Sequence, residues 1–132
     1  MFVDAAAIVA ILSDEAEAAR CSRALVAANE RFTTAIAAWE AAMALARPEK
    51  FALPVDTARS LVTRFLEDRG ILLRELPPAA DALDLSLDAA RRFRGRELRL
   101  NLAGCFHYAC ARYYGVAILS TADEFRFTDL ET

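Results

Sequence analysis

Short apolar segments alternate with longer helical segments along this chain, and this alternation constrains the fold more than any other feature. MFVD, ILLREL and VAILS have the length and composition of short buried strands, while RFTT fits either a strand or a turn. The segments between them are amphipathic or alanine-rich, and several end at glycine or proline. Strands that alternate with helices indicate an α/β fold with a mostly parallel sheet. FTDL, near the C-terminus, is a candidate final strand.

Length and composition predict one globular domain over residues 1–132, with 56% hydrophobic and 27% charged residues. The net charge of -3 excludes a protein that coats nucleic acid through overall positive charge, but it leaves a local basic groove open. Cys21, Cys105 and Cys110 lack metal-site spacing and are interpreted as reduced thiols of a cytoplasmic protein. The apolar start follows no basic residue and is too short to span a bilayer.

Two acids follow predicted strands and are expected to meet. Asp4 directly follows the first strand, and Asp123 lies just past VAILS. The carboxyl ends of parallel strands share one edge of a sheet, which is where such folds bind ligands. Carboxylates that meet repel each other unless a cation lies between them, and Mg²⁺ or Mn²⁺ suits oxygen ligands. Glu40 lies in the almost wholly apolar segment AIAAWEAAMALA and is the third candidate, because a buried glutamate needs a partner.

Four segments, taken in order, resemble the motifs of PIN-domain ribonucleases, and most closely those of the VapC toxins of bacterial toxin–antitoxin pairs. These segments are MFVDAAAIVAIL, TTAIAAWEAAMALAR, LNLAGCFHYACARYYGVAILS and TADEFRFTDL, and the resemblance covers nearly the whole chain. It implies a three-layer α/β/α sandwich with a four- or five-stranded, mostly parallel sheet. It also implies an endoribonuclease that depends on Mg²⁺ or Mn²⁺, with Asp4, Glu40 and Asp123 as its catalytic and metal-binding acids.

The sequence departs from this family at two site positions. Gly104 stands where the family usually has an aspartate, and Ala6 stands where it commonly has a hydroxyl residue. No side chain remains at position 104 to bind metal or orient water. Two functions therefore stay open: a ribonuclease toxin of impaired or lost activity, and a catalytically silent module that engages an antitoxin and a DNA-bound repressor complex. We interpret His107, further along the same helix, as a partly buried structural residue.

The resemblance also implies partners. It predicts a homodimer and a VapB-type antitoxin whose tail lies across AEAARCSRALVAA and VDTARSLVTRFL, with DNA contacted only through the antitoxin. The segment RRFRGRELR is interpreted either as a solvated connector or as a rim that contacts RNA phosphates. The residues of that rim are Arg91, Arg92, Arg94 and Arg96.

Overall fold

A parallel four-stranded sheet forms the centre of the protein, which we describe from a computed structural model over residues 1–93 and 100–132. Its strands are β1 (Phe2–Val3), β2 (Phe32–Thr34), β3 (Leu72–Arg74) and β4 (Ile118–Leu119). Their order across the sheet is β3-β2-β1-β4, and every neighbouring pair is parallel. Phe2 of β1 is aligned with Phe32 on one side and with Ile118 on the other. The predicted α/β class is confirmed.

Helices connect these strands throughout the described part of the chain. They are α1 (Ala5–Leu12), α2 (Ala18–Ala27), α3 (Ala35–Ala46), α4 (Val55–Asp68), α5 (Ala79–Phe93) and α6 (Leu102–Tyr114), followed by a 3₁₀ helix at Asp123–Phe127. The start of α6 is fixed by Asn101, whose Oδ1 accepts a hydrogen bond of 2.7 Å from the Gly104 amide. The end of α6 is fixed by Gly115, which has the left-handed φ of 65° that side chains disfavour.

The sheet separates two apolar cores, which gives the three-layer arrangement. Adjacent residues of a strand point to opposite faces, so Phe2 packs into one core while Val3 packs into the other. The core around Val3 contains residues of α1, α2, α3 and α4. The core around Phe2 contains residues of α5 and α6. Asp4 follows these two buried residues directly and so lies at the carboxyl end of the sheet.

Two local predictions are wrong. FTDL is not a strand, because its first residue ends the 3₁₀ helix and Thr128 then bonds locally to the Phe125 carbonyl. The helix expected to begin near Ser13 begins at Ala18 instead, because Asp14 has a φ of 50° that breaks the helical path.

The three cysteines are buried, and no disulfide joins them. Among the described residues, no helix is both long enough and apolar enough to cross a bilayer.

Candidate metal centre

Asp4 is a buried carboxylate at the junction of β1 and α1. Its amide donates to the Leu119 carbonyl at 3.0 Å, which ties the end of β1 to the end of β4. Its Oδ2 accepts a hydrogen bond of 2.6 Å from Ser120 Oγ, on the first residue after β4. Two neighbouring strand ends therefore fix the backbone and the carboxylate of Asp4.

Glu40 of α3 and His107 of α6 complete a cluster with Asp4. His107 Nε2 lies 2.5 Å from Glu40 Oε1 and 3.6 Å from Asp4 Oδ1. One ligand atom from each of the three residues lies within 4.8 Å of the others. The side chains of Asp4 and His107 are only 7% and 3% exposed, while that of Glu40 is 29% exposed. The cluster is thus closed on the sheet side and reaches solvent through Glu40.

Burial dominates the electrostatics of Asp4. Loss of hydration raises the pKa of the Asp4 carboxyl above its ordinary value. The charge of a protonated His107 and the Ser120 hydrogen bond oppose this rise in the pKa, while the neighbouring Glu40 adds to it. Keeping Asp4 ionised therefore costs free energy, and a divalent cation at this position would offset the cost.

The imidazole of His107 is held by contacts on two sides. Its ring packs beside Phe2, with centroids 5.3 Å apart, and its Nε2 faces the two acids. Its other nitrogen, Nδ1, is buried and has no hydrogen-bond partner among the described residues. His107, interpreted above as a partly buried structural residue, is almost fully buried and contacts Glu40 directly.

Asp123 lies apart from this cluster. It belongs to the 3₁₀ helix, its side chain is 74% exposed, and its Oδ1 pairs with Arg126 at 3.2 Å. Asp123 is not one of the residues whose ligand atoms converge in the described part of the chain. The contact with Asp4 expected from the end of β4 is made by Ser120. The role of Asp123 as a metal ligand stays a prediction.

The two altered positions lie in the first turns of helices. Gly104 is buried, and a Cβ added there would lie 3.1 Å from Asn101 Oδ1 and 3.2 Å from Leu100 Cδ2. An aspartate at position 104 therefore requires these neighbours to shift slightly. Ala6, in the first turn of α1, is partly buried.

Sequence reasoning missed Ser120 and His107. Ser120 follows β4 as Asp4 follows β1, so its position carried a signal in the strand pattern. His107 lies three residues after Gly104, and residues at this spacing share one side of a helix. Both residues were thus detectable from their spacing to positions that sequence analysis had already selected.

The arginine rim is only partly described by the structure. Arg91 pairs with Asp88 at 2.6 Å, and Arg92 pairs with both Asp88 and Asp129 at 3.3 Å. Arg94 and Arg96 fall outside the described residues. The contact of these arginines with RNA stays a prediction.

Comparisons with known proteins agree with the fold. The family profile of the PIN domain matches residues 1–130. Ribonuclease VapC42 of Mycobacterium tuberculosis is 32% identical over 133 residues, covering 98% of this chain and 96% of the relative. A VapC ribonuclease of Rhizobium meliloti is 29% identical over 141 residues, covering 98% of each chain. The solved structure of Mycobacterium tuberculosis VapC20, a sarcin-ricin loop cleaving toxin, is similar with a TM-score of 0.74. That similarity covers 98% of this chain and 95% of the other, at 14% identity, and it shows the shared fold.

Proposed function

Because this chain belongs to the PIN-domain family and to its VapC-type ribonuclease toxins, we propose that it is a metal-dependent endoribonuclease of a type II toxin–antitoxin pair. The observation that carries this proposal is the buried cluster of Asp4, Glu40 and His107, whose ligand atoms lie within 4.8 Å of one another. Carboxylate and imidazole groups so close together are a donor set for a divalent cation. The proposed unit is a single PIN domain over residues 1–132, supported by the profile match over residues 1–130.

The roles of the site residues follow from their burial and contacts. Asp4 and Glu40 would hold a divalent cation, with Asp123 as a further acid on the solvent side. When bound, such an ion supplies positive charge that stabilises the phosphate transition state. Ser120 positions Asp4 through its hydroxyl, and the apolar surroundings of β1 exclude water from the inner side. Because Glu40 is the exposed member, the RNA phosphate would approach from its side.

One observation favours the catalytically silent binding module as a second candidate. Glu40 Oε1 already lies at hydrogen-bond distance from His107 Nε2, and no side chain is present at position 104. If this hydrogen bond outcompetes the cation, the chain keeps the fold and its binding surfaces without cleaving RNA. It would then act through the antitoxin and a DNA-bound repressor complex.

The proposed partners are RNA, a VapB-type antitoxin and a second copy of the chain, with DNA reached only through the antitoxin. The surfaces predicted for the antitoxin carry few exposed large apolar side chains: Val26 on α2, and Val55 and Leu61 on α4. The rest of the exposed face of α4 is polar, so charged contacts would contribute there as well. An RNA substrate and three buried cysteines that form no disulfide with one another fit a cytoplasmic location.

A cleavage assay on structured RNA separates the two candidates. We expect cleavage with Mg²⁺ or Mn²⁺, none with a chelator, and a fall to the chelator background in Asp4→Asn. Asp81→Asn, which changes an exposed acid on α5, is the matched control and should cleave like the wild type. If the wild type binds its antitoxin but cleaves no RNA with either ion, the silent module is correct and the ribonuclease proposal fails.

A further inference from the structure

We propose that His107 is the third protein ligand of this metal centre, and that the chain consequently binds Mn²⁺ or Zn²⁺ more tightly than Mg²⁺. This inference rests on the proposed metal-dependent function and specifies its ligand set. Sequence reasoning assigned the site to acids alone, whereas the described structure presents two carboxylates and one imidazole.

The position of His107 on α6 supports the assignment. Gly104, one turn earlier, has no side chain, so among these two positions only His107 presents a donor to Asp4 and Glu40. Its ring is almost fully buried and packs beside Phe2, which limits rotation away from the acids. A ligand that is already oriented loses little conformational entropy when an ion binds.

Donor chemistry determines which ion this cluster prefers. Mg²⁺ prefers oxygen ligands and retains several of its waters, whereas an imidazole nitrogen suits Zn²⁺ best and the first-row ion Mn²⁺ less strongly. The number of protein ligands, three, is also that of catalytic zinc sites, which keep one position open. The open position here would lie on the solvent side, next to the partly exposed Glu40.

The hydrogen on the imidazole must move for an ion to bind. Without an ion, Nε2 carries a hydrogen between the two acids, because ionised carboxylates only accept hydrogen bonds. Binding an ion at Nε2 requires the neutral ring to carry its hydrogen on Nδ1 instead. Nδ1 is buried without a partner among the described residues, so its N–H would be unsatisfied, and the bond between the ion and Nε2 must outweigh that cost.

The test uses the full, untagged chain and Mn²⁺ alone. Because the sequence contains one histidine, an imidazole nitrogen coupling in the pulsed electron paramagnetic resonance spectrum of bound Mn²⁺ identifies His107. We expect that coupling in the wild type and tighter calorimetric binding of Mn²⁺ than of Mg²⁺. His107→Ala should lose the coupling and weaken Mn²⁺ binding by at least about tenfold.

Controls separate ligand loss from helix damage. Cys110→Ala truncates another fully buried residue of α6 and should retain both the coupling and the affinity for Mn²⁺. The proposal is overturned if bound Mn²⁺ shows no nitrogen coupling or if Mn²⁺ does not bind. It is also overturned if His107→Ala binds Mn²⁺ as tightly as the wild type or more tightly, because His107 would then compete with the ion.

Failure of this inference is distinguishable from failure of the proposed function. If the chain binds Mn²⁺ through His107 but cleaves no RNA, the ligand assignment is supported and the proposed ribonuclease function fails. If the chain cleaves RNA with Mg²⁺ and bound Mn²⁺ shows no nitrogen coupling, the ribonuclease function is supported and the ligand assignment of His107 fails.

Discussion

Asp4 is kept at the end of β1 in spite of the free-energy cost of burying a carboxylate. One hydrogen bond from Ser120 and the nearby imidazole of His107 offset part of that cost, yet burial still raises the pKa of Asp4. A residue chosen for stability alone would be uncharged at this position. Burying Asp4 therefore lowers the stability of the fold without an ion but provides a carboxylate that can bind a cation, as is common at functional sites.

Position 104 offers a direct test of how much negative charge the site needs. We predict that Gly104→Asp raises Mg²⁺ affinity by at least about tenfold, since it restores an oxygen ligand that Mg²⁺ prefers. We also expect it to lower the free energy of unfolding without metal by about 1–2 kcal/mol, because the new Cβ crowds Asn101 and Leu100. Calorimetric Mg²⁺ titration and urea unfolding with chelator measure the two effects.

Gly104→Asn is the matched variant, because it adds similar bulk without the charge. It should reproduce the loss of stability but not the gain in Mg²⁺ affinity. Equal Mg²⁺ affinity in the wild type and in Gly104→Asp would show that position 104 does not contribute to the site.

Asp4 and Glu40 could be predicted as site residues because each is an acid within an otherwise apolar segment. Asp4 interrupts an apolar run and Glu40 interrupts an apolar helix, and the structure brings both together with His107. His107 was missed because a single histidine in a buried helix is ordinarily structural, and its partner Glu40 is 67 residues away. The spacing of three residues from Gly104 indicates the side of α6 on which His107 lies, but the pairing of His107 with Glu40 is set by tertiary packing, which no local pattern specifies.

At the scale of elements, α6 is connected to α5 and to the C-terminal segment by one polar network. The Tyr108 hydroxyl donates to Asp129 at 2.8 Å and accepts from Arg92 at 3.2 Å, and Arg92 also pairs with Asp129. Desolvation alone would raise the pKa of Asp129, but the Tyr108 hydroxyl and Arg92 outweigh it and hold that pKa below its ordinary value. The network thus stabilises the folded state when Asp129 is ionised.

We predict that Tyr108→Phe lowers the free energy of unfolding by about 1–2 kcal/mol at neutral pH, because it removes from this network the hydrogen bond that the hydroxyl donates to Asp129 and the one that it accepts from Arg92. A carboxyl with a depressed folded pKa stabilises the fold above its unfolded pKa, about 3.9, and loses that stabilisation as the pH falls through the folded pKa. Urea unfolding across this range should therefore show the difference between wild type and variant shrinking in acid. Tyr113→Phe, at an exposed position of α6, should change neither the free energy of unfolding nor its dependence on pH. A difference that is independent of pH would remove Asp129 from the explanation.

The C-terminal part of the chain shows that an apolar segment alone does not predict a short strand reliably. β1 and β4 have two residues each, so only their apolar character and the acid or serine that follows marked them as strands. FTDL has apolar residues at its two ends, but its first residue ends the 3₁₀ helix and Thr128 then bonds to the Phe125 carbonyl. The fourth strand completes the sheet, and the Ile118 amide donates a hydrogen bond to the carbonyl of Glu131 in the segment that follows it.

On the scale of the whole molecule, the two edges of the sheet differ. The backbone bond to Glu131 covers part of β4, whereas β3 pairs only with β2 among the described strands. Leu72 and Leu73 of β3 are 61% and 62% exposed, and adjacent strand residues point to opposite faces. An open edge with apolar side chains on both faces favours association with another chain.

We predict that this edge forms the homodimer interface, so that the wild type has twice the mass of one chain in light scattering. Replacing both Leu72 and Leu73 with lysine should give a monomer, because two charges would be desolvated at the contact. Leu61→Lys places one lysine charge at an exposed position of α4 and should leave the dimer intact. A dimer that survives the double substitution but dissociates with Leu61→Lys would move the interface to α4. A wild type that is monomeric at every concentration would contradict the predicted interface.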